Sequence, residues 1–215
     1  MDMLLHGIEA LGFLKQEGFF VLKSKLATSE DEALAYAKDI GFPITLKVLS
    51  KKALHKTEIG GVKTGIINED GLRRGFNELV ESCALSIGKA HLEGIIVQEL
   101  GRGFEFIVGI YEDRQFGRVI MFGQGGIFVE ALGNVTFRLL PINKRDARSM
   151  IEDLYISKAL FSSRNRWADT KVIEDFLFEI SDLLGRKPEI KEMDLNPVFV
   201  SNSAKICDAR IKLSR

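Results

Sequence analysis

Apolar and polar positions recur with two different periods along this chain, and its first half contains both. Residues 3–17 place apolar side chains at helical spacing and predict a helix, and the capping-box pair Ser29 and Glu32 opens a second predicted helix that ends near Ile40. Residues 44–49 and 62–67 are apolar runs of strand length, so we predict an antiparallel pair across the polar loop between them. Residues 72–87 have the spacing of an amphipathic helix. Together these elements predict a first α/β lobe.

The second half of the chain is richer in strand patterns. Residues 94–100, 104–111 and 118–122 are short apolar runs between turn residues, as in a mostly antiparallel sheet. Asn143 and Asp169 stand at the N-cap positions of two further predicted helices, and residues 190–200 and 204–213 predict strands at the end of the chain. We therefore predict a mixed α/β (α+β) fold of two lobes. The lobes are residues 1–97, with the N-terminal helix, and residues 98–215, joined by a short hinge at residues 98–100.

Composition narrows the possible partners. The chain has 215 residues, of which 46% are hydrophobic, and its 30 basic and 30 acidic side chains cancel. This balance argues against nucleic acid or an anionic membrane surface as a partner. No apolar run approaches the roughly 20 residues of a membrane span, and the N-terminal segment lacks the basic region of a signal peptide. Cys83 and Cys207 match no metal spacing, so we expect two core residues and a cytoplasmic protein.

The stretch LKVLSKKALHKTEIGGVKTGIINEDG places a lysine inside an apolar strand. Burying Lys47 is costly unless its charge meets an anion, and the pair Gly60 and Gly61 lets backbone amides approach one closely. The pattern favours a phosphate site. His55 lies in the same loop, where a neutral imidazole can accept a phosphoryl group. Taken alone, a loop histidine is more commonly plain polar surface.

Two segments near the end of the chain carry oxygen ligands. In EMDLNP, Asp194 and Asn196 share one strand face by the period of two, and in KICDARI Asp208 and Arg210 are predicted to share a face with Ile206. Adjacent strands would bring the two carboxylates and the amide oxygen together. Such ligands suit magnesium, which commonly takes one or two protein carboxylates together with substrate phosphates. From spacing alone, an exposed polar sheet face is the more common explanation.

Three further features each have two explanations. Gly123, Gly125 and Gly126 lie in the segment GQGGIFVE, which lacks dinucleotide-fold and P-loop spacing and is either a tight β turn or a set of backbone amides lining an anion cleft. Glu105 is a lone carboxylate among apolar neighbours, suited either to a ribose hydroxyl or to an exposed face. Arg138 either grips a phosphate bidentately or is solvated.

Several of these segments occur in an order that resembles a known family. Lys47, HKTEIGGV, VQE, EFIVG, MFGQGGIFVE, EMDLNPVFV and DARI resemble the ATP-grasp domain of ADP-forming acyl-CoA synthetases. The likeness is to the separate β subunit of the archaeal-type enzyme, a relative of the succinyl-CoA synthetase β chain. It covers the chain from about residue 10 to the end and implies an ATP-grasp fold with a nucleotide cleft between two lobes.

The resemblance also implies roles for individual residues. Lys47 reaches the α and β phosphates, the loop through Gly60 and Gly61 closes over them, and Glu105 contacts the ribose. Gln98, Glu99 and Leu100 form the hinge against adenine. Asp194, Asn196 and Asp208 are the implied magnesium ligands. The implied phosphate or substrate loop consists of Gly123, Gly125, Gly126 and Arg138. His55 matches a loop histidine that acts as a transient phosphate carrier.

The implied reaction needs a second subunit. An acyl-CoA is cleaved by phosphate to an acyl phosphate, the phosphoryl group passes to a histidine of the partner, and it then moves to ADP. The resemblance therefore implies Mg²⁺, ATP or ADP as substrate, and a CoA-binding α subunit in an α2β2 assembly. Two other functions remain open: a stand-alone ATP-grasp carboxylate ligase and a non-catalytic nucleotide-binding subunit. His55 argues against both because neither needs it.

Overall fold

The computed structural model describes residues 2–50, 60–86, 88–126, 134–154 and 169–214, without the side chain of Lys89. Helices and strands alternate along this part of the chain, as the sequence pattern predicts. In chain order the elements are β1 Met3–His6, α1 Ile8–Gln16, β2 Ser24–Ala27, α2 Glu30–Ile40, β3 Ile44–Leu49, β4 Val62–Ile66, α3 Glu69–Ser86, a 3₁₀ turn Lys89–His91, β5 Gly94–Glu99, β6 Phe104–Asp113, β7 Gly117–Gln124, β8 Val135–Leu139, α4 Lys144–Glu152, α5 Thr170–Arg186, β9 Ile190–Val200, β10 Ala204–Ile206 and β11 Ala209–Leu213.

The chain divides into two compact units whose boundaries differ from the predicted 1–97 and 98–215. One unit is Leu22–Leu100, and the other combines Met1–Val21 with Gly101–Arg215. The N-terminal segment belongs to the second unit because β1 pairs antiparallel with β11, at the opposite end of the sequence. Residues 3–6 therefore form a strand and not the first turn of the predicted helix. Helix α1 begins only at Ile8 and buries Leu11 and Leu14 in the core of this second unit.

The Leu22–Leu100 unit contains a four-stranded antiparallel sheet in the order β2-β5-β3-β4. The predicted pairing of β3 with β4 is confirmed. Strand β5, which the sequence pattern grouped with the later strands, instead pairs with β2 and β3. Helices α2 and α3 cover one face of this sheet, and Leu34, Leu46 and Leu79 are buried between them and the strands.

Helix boundaries follow the predicted capping residues. The Ser29 hydroxyl accepts a hydrogen bond from the Glu32 backbone N–H (3.2 Å), and the Asp169 carboxylate accepts one from the Lys171 N–H (2.9 Å). Asn143 forms a complete capping box at the start of α4. These caps satisfy backbone donors that a helix leaves unpaired in its first turn, so local sequence alone determines these helix starts.

The other unit contains a seven-stranded antiparallel sheet in the order β1-β11-β9-β6-β7-β8, with β10 also paired to β9. One face packs against α1, α4 and α5. Alternate residues of β6 and β7, including Phe106, Val108 and Phe122, point into this core, where Phe106 and Phe122 stack. The opposite face of the sheet carries the polar residues of the candidate site.

The helices in the described part of the chain include none long and apolar enough to cross a membrane. Cys83 and Cys207 are both buried thiols, as predicted.

Candidate functional site

Strand β9 lies at the centre of the larger sheet and carries the polar residues of EMDLNP. Met193 and Leu195 are almost fully buried in the core, whereas Asp194 and Asn196 are exposed on the opposite face. The predicted segregation of the two sets is confirmed. Strand β11 places Arg210 directly across from Asp194, and strand β6 places Gly109 across from it on the other side.

A β-bulge in strand β9 determines which of its residues lie on the polar face of the sheet. The register between β6 and β9 shifts between Phe106 and Val108, so β9 contains an extra residue near Asn196 and Pro197. A strict period of two would turn Val198 towards the polar face, but this bulge returns it to the core. The same shift places Phe199 on the polar face together with Asn196.

A break between β10 and β11 likewise changes which residues of the neighbouring strand lie on the polar face. The prediction that Ile206 shares a face with Arg210 was wrong, because Ile206 is fully buried in the core while the strand is interrupted at Cys207 and Asp208. The Asn196 N–H donates to the Asp208 carbonyl (3.1 Å) across this break. The break therefore brings Asp208 beside Asn196.

The electrostatics of Asp194 reflect these neighbours. Surrounding protein atoms partly desolvate its carboxylate and raise its pKa above the ordinary value, although the side chain remains open to solvent on the polar face. The nearby carboxylate of Asp208 raises the pKa further, while Arg210 opposes the shift. Two carboxylates close enough to repel each other form a site that a cation stabilises.

The donor set on this face fits a hard cation. Asp194, Asn196 and Asp208 supply two carboxylates and one amide oxygen, the ligand chemistry of magnesium. The Asp208 carboxylate also accepts a hydrogen bond from the Ala209 N–H (3.0 Å), which orients it. The residues that the structure describes include no cluster of three or more His, Cys, Asp or Glu arranged to hold a metal. Any metal site here therefore depends on the amide and on ligands from a substrate.

Glu105 and the glycine-rich turn are in direct contact. The Gly125 N–H donates to the Glu105 carbonyl at 2.6 Å, and a Cβ added to Gly125 would lie 2.9 Å from Glu105 backbone and side-chain carbons. A Cβ on Gly126, which has a φ of 86°, would lie 3.6 Å from the Glu105 carboxylate. Gly123 is similarly crowded, since its Cβ would lie 2.6 Å from Val135. The turn needs glycine because its backbone lies against β6.

Phe199 borders the same region. It lies opposite Glu105 in the β6–β9 pairing, and its ring packs so closely on Gly101 that a Cβ there would lie only 2.2 Å away. Glu105, Phe199 and the glycine-rich turn therefore form one continuous wall on the polar face of the larger sheet.

In the Leu22–Leu100 unit, Lys47 lies on the central strand β3. Lys47 is 8% exposed and pairs with Val62 of β4 on one side and Ile96 of β5 on the other. The Gly61 carbonyl accepts a hydrogen bond from the Val48 N–H (2.9 Å), and Gly60 has a φ of 65°, which favours glycine. The predicted lysine and glycine pair are thus adjacent.

The predicted hinge residues have hydrogen-bond partners within their own unit. The side chain of Gln98 is 1% exposed and donates to the Ser24 hydroxyl (2.8 Å), so it supports the sheet. The Glu99 N–H donates to the Lys23 carbonyl (2.9 Å), and the Leu100 N–H donates to the Pro43 carbonyl at a longer 3.3 Å. These bonds orient the segment where the two units meet in the sequence.

Arg138 stands apart from the polar face. Arg138 of β8 points to the helical side of the sheet, where it forms an ion pair with Asp153 and donates to the Ser149 hydroxyl (2.7 Å). We therefore replace its predicted phosphate role with a structural one. His55 lies outside the residues that the structure describes.

The sequence analysis missed Phe199 as a member of this face, and it placed Arg210 beside Asp208 without giving it a role. The segment DARI did contain a signal for Arg210, because it follows Asp208 by the period of two. Phe199 had no comparable signal, since only the bulge at Asn196 and Pro197 turns it towards the polar side.

A family model of the ATP-grasp domain matches residues 1–213 of this chain. The chain belongs to the ATP-grasp family, which confirms the predicted fold. The β subunit of ADP-forming acetate–CoA ligase II from Pyrococcus furiosus is 42% identical over 211 residues, covering 95% of this chain and 89% of that protein. ADP-forming acetate–CoA ligase II from Archaeoglobus fulgidus is 41% identical over 97% of this chain, but the match spans only 30% of its own length.

Solved structures give the same assignment. The dinucleotide-forming acetyl-coenzyme A synthetase 1 of Ca. Korarchaeum cryptofilum, in complex with coenzyme A, Ca-AMPCP and HgCl⁺, superposes with a TM-score of 0.90 and 39% identity, covering 98% of this chain and 93% of that chain. Another structure of that enzyme contains coenzyme A and Mg-AMPPCP, with a phosphohistidine segment pointing towards the nucleotide-binding site. It matches with a TM-score of 0.78 and 36% identity, over 96% of this chain and 91% of that chain. The predicted kinship with ADP-forming acyl-CoA synthetases is therefore confirmed.

Proposed function

We propose that this chain is the nucleotide-binding β subunit of an ADP-forming acyl-CoA ligase, with an acetate–CoA ligase as the specific expectation. Together with an α subunit it would convert acyl-CoA, phosphate and ADP into the free acid, CoA and ATP. The observation that carries the proposal is the convergence of Asp194, Asn196 and Asp208 on one sheet face, in a chain similar to β subunits of this enzyme class.

Each unit contributes residues to the proposed nucleotide chemistry. Lys47 is a buried cation suited to the α and β phosphates, and the backbone amides at Gly60 and Gly61 are suited to closing on them. Glu105 is assigned to the ribose, and residues 98–100 to the adenine through their backbone. The turn at Gly123, Gly125 and Gly126 brings backbone amides beside Glu105.

Asp194, Asn196 and Asp208 are the proposed ligands of Mg²⁺. When bound, magnesium reduces the repulsion between phosphate groups during phosphoryl transfer. The carboxylate pair suits this role because a bound cation would favour the charged form of Asp194, whose pKa is raised first by burial and to a lesser extent by Asp208. We also propose that His55 receives the phosphoryl group from the partner's histidine and passes it to ADP.

The proposed partner is a CoA-binding α subunit, in an α2β2 assembly in the cytoplasm. Two relationships support a partner: a Pyrococcus relative of nearly the same length is a β subunit, and the Archaeoglobus relative is a single chain of which this chain matches 30%. The additional length of the Archaeoglobus chain provides room for CoA-binding and ligase domains.

Calorimetric titration with ADP, with and without Mg²⁺, tests the proposal. We expect magnesium-dependent binding by the wild-type chain and a loss of about tenfold or more in affinity, about 1.4 kcal/mol, for Asp208→Ala. Asp182→Ala removes a carboxylate from the exposed surface of α5 and serves as the matched control, with unchanged affinity.

Two results would contradict the proposal. The first is the absence of nucleotide binding both by the chain alone and by the chain reconstituted with its α subunit. The second is binding by which Asp208→Ala and wild type cannot be distinguished, because the carboxylate would then lie outside the metal site. ATP turnover without any partner would favour a stand-alone carboxylate ligase instead.

A further inference from the structure

Residues on the polar face of the larger sheet lie in successive rows along the strands, and the position of Arg210 in these rows indicates a function for it. Glu105 and Phe199 form one row of facing residues, and Asn196 with Asp208 forms the next. Asp194 and Arg210 form the row after that. Successive residues on one strand face are about 7 Å apart, so a ligand lying along β9 meets these rows in sequence.

The next row along the face marks where this arrangement ends. Glu192 and Lys212 lie opposite each other and form an exposed ion pair at 2.7 Å, and Lys212 also approaches Asp2 at 3.7 Å. Lys212 is thus neutralised by carboxylates outside the proposed metal site. Arg210 instead lies directly across from Asp194 on the neighbouring strand.

The Asp194–Arg210 row is bordered on β6 by a glycine and the side chain of Met121. Gly109 stands across from Asp194 on β6 and has no side chain, and a Cβ there would come within 3.1 Å of the Met121 methyl group. Any side chain at this position would narrow the sheet face next to Asp194. The row therefore combines the guanidinium of Arg210, the carboxylate of Asp194 and a glycine.

These positions indicate the direction of the nucleotide. If Glu105 holds the ribose and the Asn196–Asp208 row holds the metal-bound phosphates, the phosphate chain continues towards the Asp194–Arg210 row. We propose that Arg210 binds the terminal phosphoryl group, the one that is transferred between ADP and the phosphohistidine. This inference rests on the proposed function and adds a substrate contact to it.

The chemistry of arginine suits this position. A guanidinium presents two parallel N–H donors to phosphate oxygens and remains charged at all relevant pH values. During phosphoryl transfer the bond between the terminal phosphorus and the β-phosphate oxygen of ATP forms as the phosphorus–nitrogen bond to histidine breaks. Negative charge on the transferring oxygens is then stabilised by a cation that is already in place.

The test compares ligands that differ by the terminal phosphate. Calorimetric titrations in saturating Mg²⁺ would measure ADP and AMPPCP binding to wild type, Arg210→Gln, Arg210→Lys and the matched control Lys212→Gln. We expect Arg210→Gln to weaken AMPPCP binding at least tenfold while changing ADP affinity less than threefold. Arg210→Lys should fall between the two, and Lys212→Gln should match wild type.

A kinetic readout separates this contact from a structural role. In the enzyme reconstituted with its α subunit, Arg210→Gln should lower kcat for ATP formation at least tenfold with little change in the KM for ADP. Thermal melting of each variant checks the fold. If Arg210→Gln is unstable, the same comparison is made with Arg210→Lys, which keeps the positive charge but loses the two parallel N–H donors.

Each other outcome overturns the inference. Equal losses for ADP and AMPPCP would mean that Arg210 acts through the metal site or the fold. Unchanged AMPPCP affinity in folded Arg210→Gln or Arg210→Lys would exclude the contact. If neither the wild-type chain nor its complex binds nucleotide, the proposed function itself fails. Failure of the Arg210 inference is distinguishable from that result, because the wild-type chain would then still bind nucleotide.

Discussion

At the scale of single residues, glycine determines the shape of the proposed nucleotide wall. Gly101, Gly123 and Gly125 each lie so near another group that an added Cβ would approach it within 3.0 Å. Side chains at these positions require the sheet or the turn to move. By contrast, Gly185 is inside helix α5 with open space around it, so it has no comparable steric reason to be glycine.

These environments predict opposite effects for the same substitution. Gly125→Ala should destabilise the protein by about 1–3 kcal/mol, because its methyl group overlaps Glu105. Gly185→Ala should stabilise it by about 0.5–1 kcal/mol, because alanine favours the helix. Denaturant unfolding measures both, and equal stability of the two variants would mean that the turn adjusts to the methyl group.

At the scale of elements, the ends of α1 and α5 are joined by charged side chains. Glu17, just after α1, contacts Lys187 at 2.9 Å and Arg186 at 3.2 Å, and only 14% of its side chain is exposed. The hydrogen bond from Lys187 lowers the pKa of Glu17, with partial desolvation opposing the shift. The helices are thus linked by a carboxylate that is more acidic in the folded state than in the unfolded state.

This pKa shift predicts a pH-dependent contribution to stability. A depressed carboxylate pKa stabilises the fold above the ordinary value of about 4.5 and ceases to do so as the pH falls through the folded-state pKa. Glu17→Gln should therefore lower Tm at pH 7 by about 2 °C and lower it less at pH 3. Asp182→Asn, in an exposed pair with Arg186, is the control. A loss of equal size at both pH values would assign the effect to packing.

At the scale of the whole molecule, the two units contain different parts of the proposed reaction. The Leu22–Leu100 unit contains Lys47, and His55 falls within the same range of the sequence, whereas the larger sheet belongs to the unit that includes the C-terminal strands. A phosphoryl group that arrives from a partner subunit must first meet a nucleophile and then reach the nucleotide. The proposed relay assigns the first step to His55.

The relay predicts a loss of turnover without a loss of binding. His55→Ala should abolish ATP formation by the enzyme reconstituted with its α subunit, while the chain's affinity for ADP stays within about threefold of wild type, a change below 1 kcal/mol. His91→Ala, in the 3₁₀ turn, provides a histidine control with normal turnover. Wild-type rates in His55→Ala would exclude the relay.

Local sequence was sufficient for the features that depend on a few neighbouring residues. Ser29, Asn143 and Asp169 determine helix starts because each side chain bonds to a backbone amide within the next turn. The alternation in EMDLNP likewise places Asp194 and Asn196 away from the core, since successive side chains of a strand point to opposite faces. Their shared face followed from this local periodicity, whereas their predicted role as magnesium ligands came from the family resemblance.

Tertiary structure decided what depends on pairing between distant segments. Residues 3–6 form a strand only because β11 is available to pair with them, and Arg138 turns to the helical side because Asp153 of the chain after α4 meets it there. The bulge at Asn196 and Pro197 depends on the register with β6. The sequence by itself thus determined which residues are candidates for the chemistry, whereas long-range strand register decided which of them share a face, because a shift of one residue moves every later side chain to the other side of the sheet.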